Sequence, residues 1–319
     1  MPRPRVLFVK LSSLGDVVHH FPAVTELAAQ RPGAEIAWAV EEAYAGLVRL
    51  HPAVGEVIPV GLRALKSRPL SVGAWRRLGD TRGALRRGEW DYVVDTQGLV
   101  KSAWVARRAR GVRFGLDRAS ARERGAARAY DVGIPIPREL HAVERNRRLV
   151  AEVFGYRVAG PASYGLDAAL PRPGFAPEAP YVVLLHAASK AEKRWAGERW
   201  IALGALLARH GFASVLPGGT EAERAEAARL AAAIPGAVAA PAASLGEMAA
   251  LLAHSWLVAG VDTGLTHLAV ALGRPTVGIY CATRPELTGL PGGRSVNAGG
   301  PGAAPSVDEI ARLVGYGAE

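Results

Sequence analysis

Short apolar runs alternate with amphipathic helical patterns along the whole chain. In the first half, patterns such as HHFPAVTELAAQ and AWRRLGDTRGALRRG separate five apolar runs that predict strands, at 6–10, 35–40, 56–60, 91–95 and 111–116. Alternation of this kind is typical of parallel βαβ units. We therefore expect a doubly wound α/β sheet in this half.

The alternation restarts after a segment rich in Pro, Gly and Ala. The second half predicts strands at 181–187, 213–219, 237–241, 256–262 and 275–281. We expect an N-terminal Rossmann-like domain at 1–160, a linker at 161–180 and a C-terminal Rossmann-like domain at 181–319, facing each other across a cleft. Ser306 and Glu309 predict a capped last helix. We leave open that this helix packs back on the N-terminal domain.

Composition narrows the class of protein. A chain of 319 residues, half of them hydrophobic, suits two domains of ordinary size. The chain has no apolar run long enough for a membrane span, and its short basic start leads directly into a strand, so we expect neither a signal peptide nor a membrane helix. Cys281 is the only cysteine, which excludes an intramolecular disulfide and fits a reducing compartment. We expect a cytoplasmic protein.

The net charge of +10 is confined to the first half. Residues 1–160 hold 27 Lys and Arg against 16 Asp and Glu, whereas residues 161–319 hold 12 against 13. One interpretation is a solvated, arginine-rich surface. The other is an electrostatic funnel for a polyanion, such as nucleic acid, a phosphorylated lipid or a membrane face.

Several common signatures are absent from the sequence. It contains no GxGxxG, GxxxxGK[ST], HExxH or GxSxG, and no Cys, His and carboxylate set with metal-ligand spacing. A dinucleotide oxidoreductase, a P-loop ATPase, a zinc protease and an α/β-hydrolase are therefore disfavoured.

The segment VLFVKLSSLGDVVH runs from a strand through a small-residue turn into a helix. In an open α/β sheet, ligands bind at this carboxyl end of the strands. Asp16 is a candidate general base there, since a cleft carboxylate can take a proton from an acceptor hydroxyl. The alternative is that Asp16 only caps the helix. Lys10 is a candidate contact for a neighbouring phosphate, or simply an exposed lysine.

The segment WLVAGVDTGLTHLAVALG is the most specific pattern in the chain. A buried strand ends at Asp262, Gly264 permits close backbone approach, and a helix follows whose amino end would suit a diphosphate. Thr263 and His267 lie within reach of that position. The structural alternative is an ordinary turn in which Asp262 or Thr263 caps the helix and His267 packs.

Two further segments supply candidate donor contacts. In LLHAASKAEKRW, Lys193 is placed to contact phosphates, with Ser189 and Lys190 nearby, although a solvated lysine loop would look the same. In LPGGTEAERAEAARL, Glu223 can accept hydrogen bonds from two ribose hydroxyls, or be an ordinary surface glutamate.

In chain order, these segments resemble the lipopolysaccharide heptosyltransferases of glycosyltransferase family 9. The resemblance covers nearly the whole chain and depends on VKLSSLGDVVH, DTQGLVKSA, ASARE, HAVER, LLHAASKAEKRW and VDTGLTHLAVALGRP. It implies a GT-B enzyme that needs no metal or other cofactor and transfers heptose, with inversion, from ADP-L-glycero-β-D-manno-heptose to Kdo-lipid A. It also implies that the enzyme acts at the anionic cytoplasmic face of the inner membrane and has no nucleic acid partner.

The resemblance also implies roles for individual residues. Asp16 matches the catalytic base and Lys193 the lysine near the donor phosphates. The other donor positions are Ala188, Ser189, Glu223, Asp262, Thr263, Gly264 and His267, and the acceptor positions are Lys10, Ser13, Gly15, Arg63, Lys66, Arg122, His141 and Arg145.

The chain departs from the family pattern at two places. Ala188 and Ser189 replace a pair of threonines, and YCATRP, from Tyr280 to Pro285, replaces YGPTDP. The alternatives are a family member with a different acceptor or, from another class, a nucleic-acid-binding protein. No RNP, HTH, KH or zinc-finger pattern supports the latter.

Overall fold

Two structural units make up the molecule. The computed structural model describes residues 3–63 and 71–315, apart from the side chain of Ala74. Contacts divide the chain into an N-terminal unit, Met1–Leu166, and a C-terminal unit, Asp167–Glu319. Each unit contains a parallel sheet of six strands, which confirms the expected α/β class.

The sheet of the N-terminal unit has the order β3-β2-β1-β4-β5-β6. Its central strand β1 is almost continuously apolar because helices cover both faces of the sheet. The strand order reverses between β1 and β4, where Val9 pairs with Asp95. The strands are β1 Arg5–Val9, β2 Glu35–Glu41, β3 Val54–Val60, β4 Glu89–Asp95, β5 Arg110–Leu116 and β6 Val132–Ile134.

Helices of the N-terminal unit begin and end at recognisable signals. The last of them begins after His141, whose Nδ1 accepts a hydrogen bond from the Val143 amide, and ends at Gly155 in the left-handed conformation. The described helices are α1 Leu14–Val18, α2 Phe21–Gln30, α3 Ala45–Val48, α4 Val72–Arg87, α5 Val100–Ala106 and α6 Ala142–Phe154, with 3-10 turns at Glu42–Tyr44 and Arg124–Ala129.

The C-terminal unit repeats the same topology. Its sheet order is β12-β11-β10-β7-β8-β9, so the reversal falls between β7 and β10. The strands are β7 Tyr181–Leu185, β8 Ala213–Leu216, β9 Val238–Ala239, β10 Leu257–Val261, β11 Thr276–Tyr280 and β12 Ser295–Gly299. The helices are α7 Gly197–Arg209, α8 Glu221–Ala233, α9 Leu245–Ala253, α10 Gly264–Ala271, α11 Pro285–Thr288 and α12 Val307–Leu313, with a 3-10 turn at Ala191–Lys193.

The sequence pattern predicts ten of these strands and misses two. The missed strands β6 and β12 are edge strands: β6 has only three residues and is mostly exposed, and β12 is interrupted by polar residues. The last helix, α12, begins after Ser306 and lies against α7, with Ile310 in the apolar core of the C-terminal unit. Within the described residues, no helix has both the length and the apolar character that crossing a bilayer requires.

Candidate active site

Both units bring candidate residues to the place where the strand order reverses. Open α/β sheets bind ligands outside the carboxyl ends of the strands at this position. In the N-terminal unit, Asp16 follows β1 and Gln97 follows β4. In the C-terminal unit, Lys193 lies in the segment after β7 and Asp262 directly follows β10. The topology therefore creates one candidate site in each unit.

A cluster of four side chains forms the site of the C-terminal unit. Lys193 Nζ lies 2.7 Å from Asp262 Oδ2, with 21% and 9% of the two side chains exposed. Thr283 Oγ1 donates to the same carboxylate oxygen at 2.8 Å. His267 Nε2 lies 3.5 Å from the other oxygen, Oδ1. Lys193 is therefore a member of a polar cluster, and the interpretation of its segment as a solvated lysine loop is wrong for this residue.

The cluster holds Asp262 in its charged form. Burial alone would raise the pKa of this carboxyl, but hydrogen bonds from His267, Lys193 and Thr283 outweigh burial and keep the pKa far below its usual range. A fixed carboxylate beside a cation can accept hydrogen bonds from sugar hydroxyls, while the lysine attracts phosphate. The pair therefore suits a ligand that carries both groups.

The amino end of α10 lies next to this cluster. Thr263 occupies the N-cap position in an extended conformation, and none of the described amides donates to its hydroxyl. The Thr263 side chain therefore does not cap the helix by a hydrogen bond, contrary to that structural alternative. Gly264 is the first helical residue, and the Thr266 amide already donates to the Thr263 carbonyl at 3.1 Å. The amides of Gly264 and Leu265 have no acceptor within the helix, which makes this helix start suitable for an anion. His267 is buried, as its packing alternative requires, and it also faces Asp262.

Strand β10 and helix α10 are held together by a close contact. Thr266 Oγ1 donates to the Val261 carbonyl at 2.7 Å. A Cβ atom at Gly260 would lie 2.3 Å from that hydroxyl, so glycine is required there. This contact fixes the direction in which Asp262 leaves the strand.

The remaining donor positions differ in their surroundings. Ala188 is buried in the apolar core, while Ser189 is exposed after β7. Glu223 Oε2 accepts hydrogen bonds from the amides of Gly219 and Thr220, both at 2.9 Å, in a capping box at the start of α8. The Glu223 carboxylate is therefore anchored at the end of β8, beside the glycine turn, rather than free on the surface.

In the N-terminal unit, Asp16 is anchored by the start of α1. Ser13 is the N-cap residue, and Asp16 Oδ2 accepts hydrogen bonds from the Ser13 amide at 2.9 Å and the Ser13 hydroxyl at 3.1 Å. Asp16 is thus the third helical residue of a capping box, so it does take part in capping, although the N-cap residue itself is Ser13. Its other oxygen, Oδ1, lies 3.5 Å from Arg122 Nη1, and 27% of the side chain is exposed. Gly15 lies in the same turn.

Gln97 clamps the loop that carries Asp16, a role that sequence reasoning missed. Its Oε1 accepts from the Leu11 amide at 2.7 Å, and its Nε2 donates to the Ser12 carbonyl at 2.8 Å. Lys101 Nζ adds a 2.6 Å hydrogen bond to Ser12 Oγ. The available signal was the cluster of polar residues in DTQGLVKS directly after β4.

Lys10 is buried at the end of β1, so its interpretation as an exposed lysine is wrong. Its side chain is 6% exposed, and Nζ donates to the Thr96 carbonyl at 2.9 Å and to Asn146 Oδ1 at 3.2 Å. Burial lowers the pKa of Lys10 to about 8, although Asp16 and Asp95 favour its charged form. Lys10 therefore links β1 to β4 and α6, beneath the Asp16 loop.

Other predicted acceptor positions lie near Asp16 or apart from it. Arg145 Nη2 donates to the Ser120 carbonyl at 2.7 Å, in the loop that also carries Arg122. Burial, with repulsion from Arg138 and Arg122, lowers the pKa of Arg145. His141 caps α6, and its ring centroid lies 5.8 Å from that of His19. The Arg63 guanidinium lies 5.3 Å from the centre of the Tyr44 ring, and Lys66 lies outside the described residues.

Among the residues that the structure describes, no group of three or more His, Cys, Asp or Glu side chains is placed to hold a metal ion.

Comparison with known proteins identifies the family. The model of glycosyltransferase family 9 (heptosyltransferase) matches residues 78–310. The chain belongs to this family. The lipopolysaccharide heptosyltransferase 1 of Pseudomonas aeruginosa is 42% identical over 302 residues, which are 92% of this chain and 83% of the relative. The enzyme of the same name from Salmonella typhimurium is 39% identical over 89% of this chain and 90% of its own.

Solved structures of the heptosyltransferase family agree with the fold. Escherichia coli heptosyltransferase WaaC with ADP has a TM-score of 0.90 at 37% identity, covering 98% of this chain and 100% of that chain. The same protein with ADP-2-deoxy-2-fluoro heptose has a TM-score of 0.85 over 98% of both chains. Escherichia coli heptosyltransferase II shares the fold at 20% identity, with a TM-score of 0.78.

Proposed function

We propose that this heptosyltransferase moves L-glycero-D-manno-heptose from ADP-heptose to the Kdo of Kdo-lipid A, with inversion at the anomeric carbon. The observation that carries the proposal is the pairing of Lys193 with Asp262 beside the amino end of α10. It combines a cation, free amides and a carboxylate acceptor, as a diphosphate-linked sugar requires. Four relatives at 39–42% identity carry the name lipopolysaccharide heptosyltransferase 1, which supports this acceptor.

The C-terminal unit is proposed to bind the donor. Lys193 and the amides at the start of α10, from Gly264 onwards, hold the diphosphate. Asp262 accepts hydrogen bonds from heptose hydroxyls, and the Thr263 hydroxyl donates one to the heptose. Glu223, at the end of β8, binds the adenosine ribose. WaaC, the structural relative, has been solved with ADP and with a fluorinated ADP-heptose, which supports this class of donor.

The N-terminal unit is proposed to bind the acceptor and supply the base. Asp16 takes the proton of the Kdo hydroxyl as that oxygen bonds to the anomeric carbon. The bond from that carbon to the phosphate oxygen breaks, and ADP leaves with the electron pair. Lys193 and the α10 amides stabilise the charge that develops on the leaving group.

The basic residues around Asp16 are proposed to hold the anionic groups of the acceptor. Arg122, which lies 3.5 Å from Asp16, and Arg145, which is bound to the Ser120 loop, are best placed for this task. Phosphates and the Kdo carboxylate are suitable partners for guanidinium groups. Because the acceptor is a lipid, we further propose that the enzyme works at the anionic cytoplasmic face of the inner membrane.

The proposal is tested by an acceptor comparison with the purified enzyme. ADP-heptose is supplied with either Kdo-lipid A or the singly heptosylated product, both dispersed in detergent, and ADP release is measured. We expect turnover with Kdo-lipid A alone. Turnover with only the heptosylated acceptor would assign the chain to heptosyltransferase II chemistry, and turnover with neither would contradict the proposed acceptor.

A further inference from the structure

Helix α4 presents an unusual outer stripe to solvent. Residues 72, 75, 79, 82 and 86 are spaced by three and four positions, so they lie on one side of the helix. Two large apolar side chains stand at one end of this stripe, with Val72 83% exposed and Trp75 57% exposed. Two exposed arginines, Arg82 and Arg86, stand at the other end. A neighbouring side of the helix packs inward, with Leu85 in the apolar core.

A second pair of arginines lies beside this stripe. Arg107 and Arg108 follow α5, and α5 packs in the same apolar core as Leu85 of α4. Arg108 stacks on Trp104, with its guanidinium 3.2 Å from the ring centre. We define the α4 surface as Val72, Trp75, Arg82, Arg86, Arg107 and Arg108.

The arginines of the α4 surface lie close to one another. Burial and then repulsion from Arg82, Arg107 and Arg86 lower the pKa of Arg108, which indicates that the four cations share one region. The ion pair of α4 in the described part of the chain is between Arg77 and Glu42, and no described carboxylate pairs with Arg82, Arg86 or Arg107. A concentration of cations without carboxylate partners attracts an anionic surface.

We propose that the α4 surface docks on an anionic phospholipid bilayer, with its arginines at the headgroup phosphates and Trp75 and Val72 in the interfacial layer. Trp side chains prefer the interface, and arginines there keep their charge in contact with phosphate. A single Trp beside an aliphatic residue suits a bilayer better than the series of aromatic platforms that bind nucleic acid bases. The inference rests on the proposed function in one respect: an enzyme whose acceptor is a lipid has to reach the membrane surface.

Co-sedimentation of the full chain with vesicles tests this docking surface. The vesicles contain phosphatidylcholine alone or mixed with phosphatidylglycerol. We expect binding to the mixed vesicles that weakens as salt is raised, and little binding to phosphatidylcholine alone. Because each arginine near an anionic surface contributes about fivefold to binding, the variant Arg82→Gln/Arg86→Gln is expected to bind about thirtyfold more weakly.

A matched variant removes the same charge elsewhere. Arg209→Gln/Arg294→Gln replaces two exposed arginines of the C-terminal unit and is expected to bind vesicles as the wild type does. Equal weakening of both double variants would overturn the assignment to the α4 surface, as would undiminished vesicle binding by Arg82→Gln/Arg86→Gln. Loss of RNA binding by that variant, with vesicle binding retained, would assign the surface to nucleic acid instead.

Transfer assays separate this surface from the active site. Arg82→Gln/Arg86→Gln is expected to transfer heptose at the wild-type rate to detergent-dispersed Kdo-lipid A, and several-fold more slowly when the acceptor is embedded in anionic vesicles. A wild-type enzyme that binds vesicles but does not use Kdo-lipid A would refute the proposed function and leave the docking surface standing.

Discussion

Lys193 and Asp262, which are 69 positions apart in sequence, form a 2.7 Å ion pair at the carboxyl edge of the C-terminal sheet. The pair exists because β7 and β10 are neighbours, which brings the segments that follow them together. It fixes the lysine charge beside the amino end of α10. In the proposed reaction, this is the charge that meets the departing diphosphate.

Replacement of Lys193 by methionine is expected to lower kcat for heptose transfer by about a hundredfold or more, since it removes a fixed charge from the leaving group. The control is Lys190→Met, which changes an exposed neighbour that pairs with Glu192. Steady-state kinetics measures both variants, and thermal unfolding checks their folding. Wild-type kcat in folded Lys193→Met would remove Lys193 from this role.

Thr283 is expected to be a positioning residue for Asp262. Its hydroxyl donates to the oxygen that also receives Lys193, and a hydrogen bond to a charged group is worth about 1.5–3 kcal/mol. Thr283→Val, which keeps the shape, should lower kcat/KM for ADP-heptose roughly tenfold to a hundredfold. Thr283→Ser should restore most of the activity. Equal kinetics for the valine and serine variants would show that the hydroxyl plays no part.

Gln97→Ala is expected to lower transfer roughly tenfold and to destabilise the N-terminal unit. The Gln97 side chain is buried, and its loss leaves the Leu11 amide and the Ser12 carbonyl without their partner. Each buried polar group left without a partner lowers the free energy of unfolding by about 1–3 kcal/mol. Because the Asp16 loop then moves, kcat should fall more than donor affinity. Donor affinity is measured by calorimetry with ADP, and an unchanged kcat would show that the clamp is not needed for positioning.

The contribution of Lys10 to the stability of the chain should rise with pH across the alkaline range. Its pKa is about 8 in the folded chain against 10.5 in the unfolded chain, so the folded state binds fewer protons between these values. The penalty for burying charged Lys10 is therefore relieved between pH 8 and pH 10.5, and the contribution of Lys10 to the free energy of unfolding increases by up to about 3 kcal/mol. Urea unfolding of the wild type and of Lys10→Met measures this contribution as their difference. A difference that stays constant over the range would contradict it, and Lys190→Met serves as the exposed control.

The sequence predicts the two Rossmann-like sheets because their evidence is local. Central strands such as β1 and β7 are covered on both faces and are therefore continuously apolar. The edge strands β6 and β12 lack that signal. β6 is too short and β12 too polar for the hydrophobic pattern to predict them.

The candidate residues are also visible in sequence, but their partners are not. Asp16 and Asp262 stand out because each follows a strand at a turn into a helix. The pairing of Asp262 with Lys193 and Thr283 depends on three strands being adjacent, which no local pattern encodes. The burial of Lys10 likewise depends on Asn146, far away in sequence on α6.

The role of Asp16 as general base is tested most directly by Asp16→Asn. An asparagine oxygen can still accept the Ser13 amide hydrogen bond at the start of α1, so the variant should fold and should bind ADP as the wild type does. We expect heptose transfer to Kdo-lipid A, measured in single turnover, to fall by about two to four orders of magnitude. A folded Asp16→Asn enzyme with a transfer rate close to the wild type would contradict the mechanism.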